Sequence, residues 1–235
     1  MSEYKFNKIN VSNITFSDLK ISQTANGATR KQVFINYNNG KFLIETPELY
    51  FPFGLYEDQA TDSNGKITGS KYSLTTSLGK SDNDNNVKFN ELLTSIDKMV
   101  IKTCVENSLS WIKKKNITNK EVEFFYNKMV KKYKDKETGE ESGKYPDSFK
   151  VKLNNYDNQF DCKVYDKSNV KNKLSDEDIK KNLSKGSRGK LLIQCNGIYF
   201  ASGKFGVTWK LVQAKITPSK NMKEYAFLSS DSDEE

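Results

Sequence analysis

Two hydrophobic periods divide this chain, and their order limits the folds open to it. In the middle, Phe89, Leu92, Leu93, Ile96, Met99, Val100 and Cys104 recur at i, i+3, i+4 and i+7, which predicts a helix over about 88–112. Thr118 and Glu121 have capping-box spacing ahead of Val122, Phe125, Tyr126, Met129 and Val130, predicting a second helix. On either side the pattern shortens toward period two. Residues 31–37 and 41–46 read as strands around Asn38-Asn39-Gly40, a hairpin turn because Asn and Gly tolerate positive φ. Pro47 precedes and Pro52 interrupts the aromatic run 49–56, and they argue against a central strand there. Residues 57–69, 80–86 and 134–147 are polar and read as loops, and 71–78 as a strand. Strands are expected again over 148–153, 160–165, 190–196, 197–201 and 205–216, with a short helix near 179–183 capped by Ser175. Strands, helices and strands in that order imply a β-rich α+β fold rather than alternating βαβ units. The economical solution is an OB-like five-stranded barrel with a helix between its third and fourth strands. The expected organisation is one domain over 1–223 with a helical insertion at about 88–133, followed by a disordered acidic tail over 224–235.

Composition removes several function classes. The 235 residues include no histidine, the commonest general base and metal ligand. Cys104, Cys162 and Cys195 are too scattered for a zinc knuckle or a disulfide framework and read as small core hydrophobes. Asp82 with Asp84, Glu140-Glu141 and Asp176-Glu177-Asp178 lie in turn-like, polar surroundings and assemble no catalytic constellation. Gly186-Ser187-Arg188-Gly189-Lys190 and Gly203-Lys204-Phe205-Gly206 lack the spacing of a phosphate loop and precede strand-like segments, so they read as turn glycines. No catalytic residue, metal or cofactor is expected. The opening MSEYKFNK lacks a signal-peptide core, and no segment approaches a membrane span, so the expectation is an intracellular protein, neither secreted nor membrane-bound.

The charge is unevenly spread. Residues 1–97 sum to −1, 98–223 to +14 and 224–235 to −5. A basic body of this kind concentrates polyanions. Only Arg30 and Arg188 are arginine among 38 basic residues, and Asn is frequent; Lys and Asn codons are AT-rich, so a coding bias is expected to account for part of the lysine content. Lysine meets phosphate as a point charge, whereas bidentate reading of guanine favours arginine, so a nucleic-acid partner would be bound with little regard to sequence.

The segment 190–216 carries the densest mixture of aromatic and basic residues. Phe205, Val207, Trp209 and Leu211 share one face by period two, Thr208 and Lys210 the other. The aromatic face is either core or a platform for stacked bases. Similar mixtures recur at Phe149-Lys150-Val151-Lys152 and Lys163-Val164-Tyr165. The candidate phosphate contacts are therefore Lys150, Lys152, Lys163, Arg188, Lys190, Lys204 and Lys210, and the candidate stacking faces Tyr165, Tyr199, Phe205 and Trp209. In the tail, Phe227, Asp231, Asp233, Glu234 and Glu235 form a tethered, aromatic-bearing polyanion suited to compete for a basic groove, or else a solubilising terminus. Ser230 and Ser232 each have an acid three residues on, so phosphorylation would deepen its charge.

Residues 203–213 (GKFGVTWKLVQ) and the acidic tail, set in a chain of this size and strand order, resemble phage-type single-stranded DNA-binding proteins, in particular the branch found in nucleocytoplasmic large DNA viruses. The resemblance implies an OB fold, coating of single-stranded DNA during replication and recombination, and a tail that also contacts replication proteins. It implies work in the host cytoplasm or nucleus, at viral replication sites. Phage members tend to end in an aromatic residue, whereas here Phe227 precedes the acids. A homo-oligomer is compatible with this reading. The rivals are a virion structural or scaffold protein making protein contacts and an RNA-binding protein using the same platform; a nuclease is least favoured.

Overall fold

The computed structural model describes residues 3–24, 27–61, 65, 67–79, 84–135 and 137–219. Asp82 and the tail residues Phe227, Asp231, Asp233, Glu234 and Glu235 lie outside the described residues. The principal strands are β1 (Lys20–Gln23), β2 (Thr29–Val33), β3 (Leu43–Tyr50), β4 (Leu55–Thr61), β5 (Ile67–Ser77), β6 (Ser148–Leu153), β7 (Lys163–Asp166), β8 (Asn169–Lys173), β9 (Arg188–Ala201) and β10 (Lys204–Thr217). The helices are α1 (Asp84–Glu106), α2 (Ser108–Ile112), α3 (Asn119–Phe125) and α4 (Asp176–Asn182). The fold is β-rich α+β, with one large mixed sheet.

Five pairings in that sheet lead back to their starting strand. β3 pairs antiparallel with β5, β5 with β6, β9 with β3 and β10 with β9, while β6 and β10 run parallel with Lys152 opposite Lys210. Outside this ring, β7 and β8 continue from β10, and β2 and β1 continue from β9. The inward faces carry Ile44, Leu49, Leu74, Phe149, Val151, Ile193, Trp209 and Leu211, all buried. The apolar stripe of α1 seals one side: Phe89, Leu93, Ile96, Val100 and Cys104 are buried, and Phe89 meets Phe149 edge-on at 5.9 Å. Aromatic rings supply the volume that a lean aliphatic composition lacks.

Several local signals operate as the sequence implies. Asn38 and Asn39 take φ of 48° and 59° between Tyr37 and Gly40, which pair across the turn. Thr118 and Glu121 cap α3 reciprocally, and the Ser175 hydroxyl accepts the Asp178 N–H at the start of α4. The three cysteines are buried free thiols, each pushed up to about 12 by burial.

Elsewhere tertiary structure overrides the local pattern. Pro47 lies inside β3, a ring strand. It is accommodated where the register with β9 slips between Lys190 and Leu192, and the Leu191 N–H donates to the Thr46 hydroxyl at 3.0 Å instead of to a backbone carbonyl. A bulge is where a residue without an N–H fits a sheet. The segment 57–69, expected to be a loop, supplies most of β4 and the start of β5, which pair from Leu55–Leu74 to Thr61–Ile67. Nearly every residue of β4 is exposed, so both faces of this ribbon are solvated and no alternation marks it. The second helix stops at Phe125 rather than continuing through Val130; Tyr126–Asn127 instead pairs parallel with Phe205–Gly206. The cause is Asp97 of α1, which is buried and takes the Tyr126 hydroxyl and the Met129 N–H. The first helix begins earlier, at Asp84, and breaks at Asn107 before α2. In chain order α1–α3 therefore fall between the second and third ring strands, and only the short α4 between the third and fourth.

Candidate nucleic-acid interface

The outward face of the ring is fixed by register. Lys150 lies opposite Thr75, and Lys152 opposite Ser73, which in turn faces Tyr56; Lys71 faces Asp58. Cross-strand partners point to the same side of a sheet, so Tyr56, Lys71, Lys150 and Lys152 emerge on one surface while Leu74, Phe149 and Val151 point into the core. With Asn154, Asn155 and Tyr156 they line a groove of about 410 Å³. Tyr56 and Tyr156 are 57% and 63% exposed, unusual for rings that could have packed against the body.

A third ring borders the groove. Tyr199 of β9 pairs with Gly206 and with Gln32 of β2. A Cβ on Gly206 would stand 3.0 Å from the Asn127 carbonyl oxygen and 3.1 Å from the Tyr199 ring, so the absence of a side chain makes room for both. Asn127 holds its hydroxyl at 3.1 Å, and the Lys152 ammonium stands 5.8 Å from the ring centre. The ring is thus fixed before any ligand arrives.

The electrostatics of this face are one-sided. Burial lowers the Lys152 ammonium below its ordinary value, and Lys71, Arg30 and Lys150 push it the same way. Lys131 is lowered chiefly by burial, with Lys150 adding to the effect and Asp97 opposing it. Among the described residues none of Arg30, Lys71, Lys150 and Lys152 is ion-paired, and Asp58 is the acid lining the groove. Four neighbouring cations without salt-bridge partners repel one another, and an anionic ligand relieves that repulsion.

The expected site residues separate into groups. Lys150, Lys152 and Tyr199 come together here. Lys210 is adjacent to Lys152 but is 3.3 Å from Asp161. Arg188 lies over Tyr50 at 5.5 Å, and Lys190 is 4.0 Å from Glu45, both toward the far end of the ring. Lys163 and the half-buried Tyr165 face outward from β7, whose inward residue is Val164. Lys204 donates to the Phe124 carbonyl at the end of α3 and is not in the groove.

Two of the expected stacking faces are corrected. Phe205 and Trp209 are 0% and 1% exposed. Trp209 packs on Phe42 at 5.3 Å and its indole N–H donates to the Met129 sulfur; Phe205 stacks on Phe200 at 5.8 Å. Because the pairings of β10 curl back to β9, its alternating aromatic face lies inside, and Thr208 and Lys210 lie outside. The glycines divide too: Gly186 and Gly203 occupy turns at positive φ, whereas Gly189 and Gly206 lie within strands. Tyr56, Tyr156, Lys71 and Arg30 were missed by sequence reasoning. Tyr56 belongs to a ribbon with no alternation, and Tyr156 to a two-residue strand beside the Asp157-Asn158 turn. Neither local pattern separates a stacking ring from an ordinary exposed tyrosine.

No protein-family model and no curated protein sequence matches the chain. Among solved structures, it is similar to the single-stranded DNA-binding protein from bacteriophage Enc34 in complex with ssDNA, at 11% identity and a TM-score of 0.47, over 80% of this chain and 91% of that one. It is also similar to the C-terminal truncation of that protein (10% identity, TM-score 0.44, 87% and 95% covered) and to the protein alone (12%, 0.43, 92% and 98%). Among the described residues no group of three or more Cys, Asp or Glu is placed to hold a metal ion, and no helix is long and apolar enough to cross a membrane.

Proposed function

We propose that this chain binds single-stranded DNA without sequence specificity, in the groove between β4, β5 and β6, and coats it during viral DNA replication and recombination. The observation that carries the reading is the cluster of Arg30, Lys71, Lys150 and Lys152, unpaired with any described acid, set among the rings of Tyr56, Tyr156 and Tyr199. Cations that follow a backbone beside exposed rings suit unpaired bases, because every base has a π face and a duplex hides it. In this reading the ring of five strands, with its single parallel pair, is an OB-like barrel within one domain over 1–223. The tail over 224–235, with Phe227, is a tethered competitor and a contact for replication proteins. The chain is not an enzyme, and it works in the cytoplasm or nucleus of the infected cell, in the manner of the large-DNA-virus branch.

Fluorescence anisotropy with single-stranded DNA, duplex DNA and RNA of equal length tests this. Single strands should bind more tightly than duplex, with log K falling against log salt by about 0.7 per phosphate contacted. Replacing Lys71, Lys150 and Lys152 together by Ser should weaken binding and flatten that slope by about 2. A virion structural protein would show equal, weak binding to all three ligands, and an RNA-binding protein would favour the RNA arm; either result overturns the proposal.

A further inference from the structure

Outside the groove the same face carries a second ring–cation pair. Tyr50 lies opposite both Arg188 of β9 and Ser77 of β5. It is 39% exposed, and the Arg188 guanidinium stands 5.5 Å from its ring centre. From Ser73, which lines the groove, toward Tyr50, β5 presents Ser73, Thr75 and Ser77 on the outward side, since Leu74 and Thr76 are fully buried. This row is half-buried, hydroxyl-bearing and free of carboxylates. The nearby acids Glu45 and Glu48 are engaged, at 4.0 Å from Lys190 and 3.2 Å from Lys167. Ser77 lies four steps beyond Ser73, about 13 Å along a strand, which roughly four nucleotides stacked at about 3.4 Å would span.

Taking the single-strand reading of the groove as given, we propose that a bound strand continues along Ser73, Thr75 and Ser77 and ends with a base on Tyr50 beside Arg188. The hydroxyls meet sugar and phosphate oxygens, and the guanidinium, 5.5 Å from the Tyr50 ring centre, meets the last phosphate or stacks with the last base.

The test is length dependence. A deoxythymidine trinucleotide fills the groove alone, whereas an oligomer of about twelve nucleotides, within the usual range for one such fold, reaches Tyr50. Arg188→Ala and Tyr50→Ala should each weaken the longer oligomer about fivefold or more and leave the trinucleotide, measured by competition, unchanged. Tyr156→Ala should weaken both. Arg188 is exposed, so its replacement leaves the fold intact even if Tyr50→Ala loosens it. Equal loss for both lengths, or no loss for the longer one while Tyr156→Ala still acts, overturns the track but not the groove. Wild-type protein that binds neither length overturns both.

Discussion

Among the described residues Asp97 is the charged side chain that the core encloses, 5% exposed between α1 and the segment after α3. Its oxygens accept the Tyr126 hydroxyl and the Met129 N–H, the latter at 3.1 Å to each oxygen. Burial still pushes its carboxyl above the ordinary aspartate value of 3.8, outweighing those hydrogen bonds and the Lys128 charge. The ionised form is therefore disfavoured by folding. That penalty is present above the folded pKa and fades as pH falls through it toward 3.8. Asp97→Asn removes the charge but offers one acceptor oxygen to several donors, and should cost about 1–3 kcal/mol at neutral pH. Urea unfolding of both proteins across the acid range checks the sign. The stability of the wild type relative to Asp97→Asn should rise as pH is lowered through that window; a relative fall would contradict it.

At the scale of elements, the bulge in β3 shows how a rule of sequence reading is met and still misleads. Pro47 cannot donate to a ladder, yet β3 is a ring strand, because the slip opposite Leu191 removes the need for that donor. The displaced Leu191 N–H is satisfied by the Thr46 hydroxyl, which is 2% exposed and itself donates to the Pro47 carbonyl. Thr46→Val, equal in shape, should leave that amide buried without an acceptor and cost about 1–3 kcal/mol in denaturant unfolding; a neutral result would mean the bulge has another acceptor. The same distinction runs through the chain. The Asn38-Asn39 turn, the α1 stripe and the Thr118 cap were legible because each is decided within a few residues. The β4 ribbon, the end of α3 at Phe125 and the inward turn of Trp209 were not, because each depends on a partner far away in sequence. For the site, Lys150, Lys152 and Tyr199 could be named from strands that interleave lysine with rings, but their meeting with Tyr56, Lys71 and Arg30 follows only from the order of strands.

The whole molecule sets charge against charge. The segment 98–223 sums to +14, and the twelve residues after it to −5. A covalently attached polyanion would meet its own basic face at a high effective concentration, and in the groove Lys71, Arg30 and Lys150 act on Lys152 without an ion-paired acid among the described residues. If the tail competes there, truncation after Ala226, which removes Phe227 and four of the five tail acids, should tighten binding of single-stranded DNA at low salt. The gain should shrink as salt rises, because a Debye length of about 10 Å at 0.1 M contracts to about 3 Å at 1 M and screens tail and DNA alike. Full-length and truncated affinities would then converge. A constant ratio between them at every salt concentration would assign the effect to Phe227 packing rather than to charge, and unchanged or weaker binding after truncation would remove the tail from the binding equilibrium. Under the proposed function, a competitor displaced by bound DNA would leave the five tail acids free, a surface that a basic partner would meet only where DNA is already bound.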